Sequence, residues 1–490
     1  MIRTSPHAAA GLAAAVVSAF SLAAQPQGRS GQIEWKPIRF ETTEGRKQTV
    51  DAEEGRLLAE ENWDKPSGRL IALRLVRFRS TAAKPGNPVV YLAGGPGWSG
   101  IASAGGDRFP LFMALRQVGD VVAIDQRGVR SDPFPVCRDR LMAPLDRPAS
   151  VESFLSVLGP TSKACADRWT QEGLDLSAYH TNASADDLEA LRKALGAPRL
   201  NLLGISYGTH LALVTLKRHP TLADRAVLAG TEGPDHSLKL PSRVDAHFRH
   251  IAALAQADPA VRAAVPDLIG ALRALLERLA RQPATVSTKA PNGEPVSVTV
   301  GPLDLQLALW ENINERDDIA EIPARAAAIL KGDLGPLAQF AAMRRSIAGF
   351  PIMSYTMDCA SGASPERLAR VREEAKTALL GNAANLPFPE VCRFWPHVDL
   401  GAAFRAPVKS EVPTLFLSGT VDGRTPPENA EEVIAGFTAA HHVRIVNGGH
   451  DDDLLIASRA IGDTIVRFLQ GRAPASDRID LGPIRFRAPR

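Results

Sequence analysis

The feature that most constrains this chain is a pentapeptide, Gly204-Ile205-Ser206-Tyr207-Gly208, set between two segments of opposite character. Leu200-Asn201-Leu202-Leu203 before it is a short apolar run of strand type. Thr209-His210-Leu211-Ala212-Leu213 after it continues as a helix. A serine on a sharp strand-to-helix turn is pushed outward with an unfavourable backbone, and small residues flank it because neighbouring chain passes close. A serine hydroxyl is a weak nucleophile until it is exposed, oriented and set beside a base. The turn supplies the first two conditions, which makes Ser206 the candidate nucleophile.

The surrounding pattern predicts a mostly parallel sheet. Arg69 to Arg79 alternates apolar with basic residues and reads as a strand with one buried face. Asn87-Pro88 opens the apolar run Val89 to Ala93, which ends in Gly94-Gly95-Pro96-Gly97. Val121 to Ile124 ends at Asp125-Gln126-Arg127-Gly128, and Ala226 to Ala229 follows one helix after the turn. Such β-branched runs alternating with helical segments are the signature of parallel strands joined by helices. Ser184 to Leu195 reads as a helix that Gly196 stops, with Ser184 and Asp187 as a capping box.

From about residue 241 to 408 helical periodicity takes over, as at Leu268, Leu272, Leu275, Leu276 and Leu279. Thr285 to Val300 is the exception, two alternating runs around the hairpin signal Asn292-Gly293. Strand patterning resumes at Pro413 to Leu417 and at His442 to Val446. The expected organisation is an α/β core over 30–240 and 409–475, a mainly helical lid over 241–408, and a tail over 476–490.

The acid and base that serve such a serine follow it in the chain and sit at strand ends. Asp422 lies just past the strand ending at Leu417, and His450 just past the one ending at Val446. His450 would take the serine proton and return it to the leaving group, while Asp422 orients the imidazole and stabilises its cation. His210 is too close to Ser206 along the chain to face it, and His441 and His442 stand at the wrong end of their strand. Asp451, Asp452 and Asp453 read as a solvated helix start. The Tyr207 amide is one donor for a developing oxyanion, and the Gly94-Gly95-Pro96-Gly97 loop is the source of a second.

Composition closes off other classes. There are 57 Lys and Arg against 54 Asp and Glu, a net +3 without a long basic run, so nucleic acid is excluded as a partner. No phosphate loop or dinucleotide fingerprint is present, and no cofactor is expected. Met1-Ile2-Arg3 followed by the apolar run Gly11 to Ala24 predicts an export signal over 1–24, too short for the roughly 20 residues of a membrane span. No later segment is long and apolar enough to span a bilayer. The four cysteines, Cys137, Cys165, Cys359 and Cys392, suit an exported chain as disulfides. Three pairings are open, and proximity favours Cys137 with Cys165 and Cys359 with Cys392. No Cys-x-x-Cys or paired-His spacing predicts a metal site.

Taken together, Ala93 to Gly100, Asp125 to Gly128 and Gly204 to Gly208 resemble the prolyl aminopeptidase and tripeptidyl aminopeptidase branch of the α/β-hydrolase serine peptidases. Glu61-Asn62-Trp63-Asp64-Lys65-Pro66-Ser67-Gly68-Arg69 and Cys392-Arg393-Phe394-Trp395-Pro396 are similar to the exported, tripeptidyl-type members, and the likeness runs over about residues 50 to 470. The resemblance implies an α/β-hydrolase fold, an exported serine exopeptidase acting at free N-termini of peptides, and an oxyanion hole from the amides of Gly95 and Tyr207. Two departures bear on proline preference. Asp125-Gln126-Arg127-Gly128-Val129-Arg130-Ser131 lacks the second glycine usual there, and Ala93 stands where prolyl aminopeptidases commonly have histidine. Glu232 and Glu311 are candidates, by placement, for holding the substrate ammonium. An esterase acting on small acyl substrates with the same triad is the competing reading. Oligomeric state is not legible.

Overall fold

The computed structural model describes residues 26–45, 47–129, 137–350 and 352–488. The export signal expected over 1–24 lies outside them. Fourteen strands are formed among the described residues: β1 (Ile33–Glu41), β2 (Thr49–Glu60), β3 (Leu70–Phe78), β4 (Val89–Leu92), β5 (Val121–Ile124), β6 (Cys137–Met142), β7 (Leu200–Ile205), β8 (Ala223–Ala229), β9 (Ala284–Lys289), β10 (Pro295–Val300), β11 (Ser346–Phe350), β12 (Thr414–Gly419), β13 (Ala440–Val446) and β14 (Arg478–Asp480).

Ten of these make one sheet in the order β1-β2-β3-β5-β4-β7-β8-β12-β13-β14. The pairs β1–β2, β2–β3 and β3–β5 are antiparallel, and from β5 onward every ladder is parallel. The strands β4, β5, β7 and β12 are buried along their whole length. That is why they read as continuous apolar runs, since helices cover both faces of a parallel sheet. Neighbours alternate between those faces. Leu202 joins Leu188, Leu211 and Phe416 on one side. Leu203 joins Phe78, Phe112 and Ile461 on the other.

Two local expectations give way to tertiary contacts. Strand β3 is buried on both faces, not one. Its basic residues are neutralised across the ladder to β2, Arg77 by Glu53 at 2.8 Å and Arg74 by Glu54 at 3.4 Å. The Arg77 guanidinium also lies 3.9 Å from the ring centre of Trp35. The helix expected from Ser184 begins earlier and spans Thr181–Ala194, capped by the His180 ring, which accepts from the Ala183 amide at 3.1 Å. Ser184 is buried inside that helix. Asp187, expected to cap it, instead binds Arg127 and Trp63.

Above the sheet, residues 241–408 add helices and the hairpin β9–β10, with Gly293 at φ 86° in its turn. Their apolar core gathers Leu272, Leu275, Leu279 and Trp310. It also takes in Phe154, Leu158 and Trp169 from the earlier helix Val151–Gln171, while β6 pairs with β11. Cys359 and Cys392 form a disulfide across this region. The side chain of Cys137 lies outside the described residues, and no described cysteine is free. In the tail, β14 extends the sheet, and the chain then crosses onto the lid. Arg316 donates to the carbonyls of Leu481 at 2.9 Å and Pro483 at 3.0 Å, and the Arg487 amide donates to Ala320 at 3.0 Å. No helix among the described residues is long and apolar enough to cross a membrane.

Candidate active site

Ser206 stands between β7 and the helix Tyr207–Arg218 with φ 54° and ψ −125°, a left-handed backbone that a side-chain-bearing residue adopts only under constraint. Its amide donates to the Ala229 carbonyl at 3.0 Å, and its own carbonyl accepts from the Thr209 amide at 2.8 Å. The flanking glycines are required by contact. A Cβ on Gly208 would sit 2.0 Å from the Leu92 carbonyl oxygen, and one on Gly204 would sit 2.5 Å from that of Gly208.

The loops after β12 and β13 bring Asp422 and His450 together. His450 Nδ1 lies 2.8 Å from Asp422 Oδ2. The second oxygen, Oδ1, accepts the amides of Arg424 and Thr425, both at 2.8 Å, and the Thr425 hydroxyl donates to Oδ2 at 2.7 Å. Burial works against ionisation of Asp422, but the charge of His450 and these hydrogen bonds outweigh it and hold the carboxyl below its usual range. Nδ1 is thus engaged with the Asp422 carboxylate. Thr425 carried no signal in the sequence beyond standing three residues after the acid.

The Gly94–Gly97 loop closes on the same place. A Cβ on Gly94 would lie 3.0 Å from Ser206 Cβ, and Gly95 takes φ 113°, a conformation open to glycine. Asp125-Gln126-Arg127 supports this loop from beneath. Gln126 donates to the Ala93 carbonyl at 3.0 Å, and Asp125 accepts from the Ser99 hydroxyl at 2.5 Å. Arg127 is fully buried and binds Asp187 at 2.6 and 2.7 Å and the carbonyls of Glu61 and Ala178.

Ser206, Gly95 and His450 line one cavity of about 440 Å³, roofed by lid residues including Trp310 and Phe388. Both glutamates singled out in the sequence line it too. Each is already paired: Glu311 with Arg424 at 3.1 Å, and Glu232 with Lys239 at 2.7 Å. Burial raises the affinity of Glu232 for a proton, yet Lys239 and His210 prevail and keep it ionised below its usual range. Asp358, which the sequence did not single out, also lines the cavity. Among the described residues its carboxyl has no hydrogen-bond or ion-pair partner. Burial, reinforced by the charge of Glu232 and only partly offset by Lys239, pushes its pKa well above the carboxylate range.

The Asp451–Asp453 run is not a solvated helix start. Asp451 and Asp453 are buried. Asp451 and Asp452 pair with buried Arg108, and Asp453 accepts the Gly449 and Arg316 amides at 2.8 Å each. His210 is buried with Nδ1 3.1 Å from the Gly233 carbonyl, and His442 meets Ser418 at 3.0 Å, so neither enters the cavity. Among the described residues no group of three or more His, Cys, Asp or Glu is arranged to hold a metal ion.

Residues 87–452 match the family described as alpha/beta hydrolase fold, and the chain belongs to that family. It is 32% identical over 212 residues to the serine protease Hip1 of Mycobacterium tuberculosis, a match covering 41% of this chain and 40% of that one. It is 29% identical over 191 residues to a tripeptidyl aminopeptidase of Streptomyces lividans, covering 35% and 34%. The chain thus spans about two fifths or less of the length of these curated relatives. Among solved structures, proline iminopeptidase of Mycobacterium smegmatis aligns over 82% of this chain and 94% of its own, at 15% identity and a TM-score of 0.41.

Proposed function

We propose that this chain is an exported serine exopeptidase that hydrolyses peptide bonds near free N-termini, with Ser206, His450 and Asp422 as its triad. His450 takes the hydroxyl proton as Ser206 Oγ attacks the scissile carbonyl carbon. The oxyanion that forms faces the amides of Gly95 and Tyr207. The imidazolium then gives its proton to the leaving amine as the C–N bond breaks. Water, deprotonated by the same ring, releases the acyl group and restores the serine. Asp422 stays ionised throughout and keeps Nδ1 protonated. Export accords with the N-terminal signal pattern and with the Cys359–Cys392 disulfide.

The observation that carries the peptidase reading is Asp358. Asp358, Glu232 and Lys239 all line the cavity that holds Ser206, two carboxyls against one ammonium, which leaves room for one more cation there. A substrate's terminal ammonium supplies it, and the pair fixes how far the scissile bond lies from the chain end. The name of the tripeptidyl aminopeptidase relative supports the same reading.

The test compares peptide amides with free and acetylated N-termini on the purified protein, with Ser206→Ala as the blank. The free-amine substrate is expected to turn over faster, and Asp358→Asn to erase most of that preference without abolishing hydrolysis of the blocked one. Equal rates on both substrates in the unaltered enzyme, or turnover of esters alone, would replace the peptidase reading with an esterase.

A further inference from the structure

We propose that Arg108 is a positioning residue for His450, clamping the loop that carries it to the strand that leads into the Gly94–Gly95 loop; the inference rests on the triad reading above. Arg108 stands at the N-terminus of the helix Phe109–Leu115, far along the chain from every triad member. Its side chain is 8% exposed. One guanidinium reaches three partners. Nε donates to Asp452 at 2.6 Å, one terminal nitrogen donates to Asp451, and the other donates to the Tyr91 hydroxyl. Asp451 and Asp452 are the two residues after His450. Tyr91 belongs to β4 and is fully buried against Phe112, their ring centres 5.0 Å apart. The strand ends one residue later, and Gly94 and Gly95 follow. The base and one proposed oxyanion donor are thus referred to a common anchor.

Backbone conformation explains why an anchor is needed. Asp451 takes φ 57°, outside the comfortable range of an L residue, and such a conformation persists only where its surroundings hold it. On the lid side the loop is fixed independently, the His450 amide donating to Asn314 at 2.5 Å and Asp453 capping the Gly449 and Arg316 amides. Arg108 provides the corresponding hold from the core side. A buried ion pair is weak evidence for a contribution to stability, since well-packed apolar groups often do as well. What apolar groups cannot do is grip two consecutive carboxylates and a phenol at fixed angles, which the planar guanidinium does.

The experiment measures kcat, KM, melting temperature and the rate at which a serine-directed phosphonate labels Ser206, in wild type, Arg108→Gln, Arg108→Lys and His450→Ala. Labelling depends on the serine being activated, and a merely structural residue would not alter it in folded protein. Arg108→Gln is expected to keep KM within about twofold while kcat and labelling rate fall together by about ten- to a hundredfold, the scale of a small misplacement of a reacting group. Arg108→Lys is expected to recover part of the loss. Wild-type labelling and kcat in folded Arg108→Gln would overturn the proposal, as would a loss matching only the unfolded fraction. Should Arg108→Gln fail to fold, Asp452→Asn removes one anchor alone; slower labelling at unchanged KM supports the proposal, and unchanged labelling overturns it. If wild type labels no faster than His450→Ala, the triad reading itself fails and takes this inference with it.

Discussion

The Thr425 hydroxyl donates to Asp422 Oδ2 at 2.7 Å, the same oxygen that His450 Nδ1 meets at 2.8 Å. Thr425 also lies 3.1 Å from that ring nitrogen, so it borders both members of the pair. Its backbone amide holds the other carboxylate oxygen. Thr425→Val keeps the shape and the amide but removes one hydrogen bond to a buried charge, worth roughly 1.5–3 kcal/mol. The Asp422 carboxyl should then ionise less readily and hold the imidazolium less well. Steady-state kinetics should show kcat/KM lower by about tenfold or more at neutral pH, with Thr425→Ser close to wild type.

Arg127 and Asp187 form a second buried pair, side chains 0% and 3% exposed, which ties the Asp125–Gly128 turn to the helix Thr181–Ala194. Trp63 donates to Asp187 Oδ1 as well, at 2.9 Å. Asp187→Asn strips the guanidinium of its counter-charge while leaving it buried, a loss of about 3–5 kcal/mol. The melting temperature should fall clearly. Replacing both partners by apolar residues, Arg127→Met with Asp187→Leu, should cost less than the two single changes added together, because no orphaned charge remains. A double replacement as damaging as the two single effects added together would mean the pair acts independently.

How much of this was legible in the sequence follows from range. The serine turn is a local device, read from five residues and their flanks, and Asp422 and His450 stand out as candidates because strand ends are where such a sheet presents its chemistry. What a sequence cannot display depends on partners far away. Asp452 meets Arg108 across 344 positions, so an acidic run that looks solvated is in fact paired with a buried arginine. Ser184 and Asp187 have the spacing of a capping box, yet Arg127, 60 positions earlier, takes Asp187 and leaves the cap to His180. Asp358 carries no motif; its significance lies in lining the cavity with a carboxyl that Lys239 offsets only in part. Strand β14 is three residues long, below what periodicity can reveal.

Glu315 gives a pH-dependent stability with a definite sign. It is half-buried, and burial together with the charges of Asp452, Asp453, Asp451 and Asp318 raises its pKa from 4.5 to about 7. A raised carboxyl pKa means the folded chain holds a proton that the unfolded chain releases between those two values. Stability from this group is therefore present at low pH and is lost as pH climbs from about 4.5 to about 7. Glu315→Gln removes the penalty. Its melting temperature relative to wild type should rise between pH 5 and pH 8, and the gain should shrink at acid pH. A difference independent of pH would show that the carboxylate is solvated.

Asp358 supplies the functional counterpart. With its pKa raised by burial and by Glu232, the carboxyl holds a proton more readily than a free aspartate does. A cationic substrate favours the ionised form, so binding expels that proton, and proton and ammonium compete for one group. KM for free-amine substrates should accordingly fall as pH rises, until the substrate amine itself loses its charge near its ordinary pKa of about 8. Acetylated substrates carry no cation and should lack this trend. In Asp358→Asn the free-amine substrates should lose the trend as well. A KM that ignores pH in the unaltered enzyme, with turnover intact, would remove Asp358 from amine binding and leave the triad reading untouched.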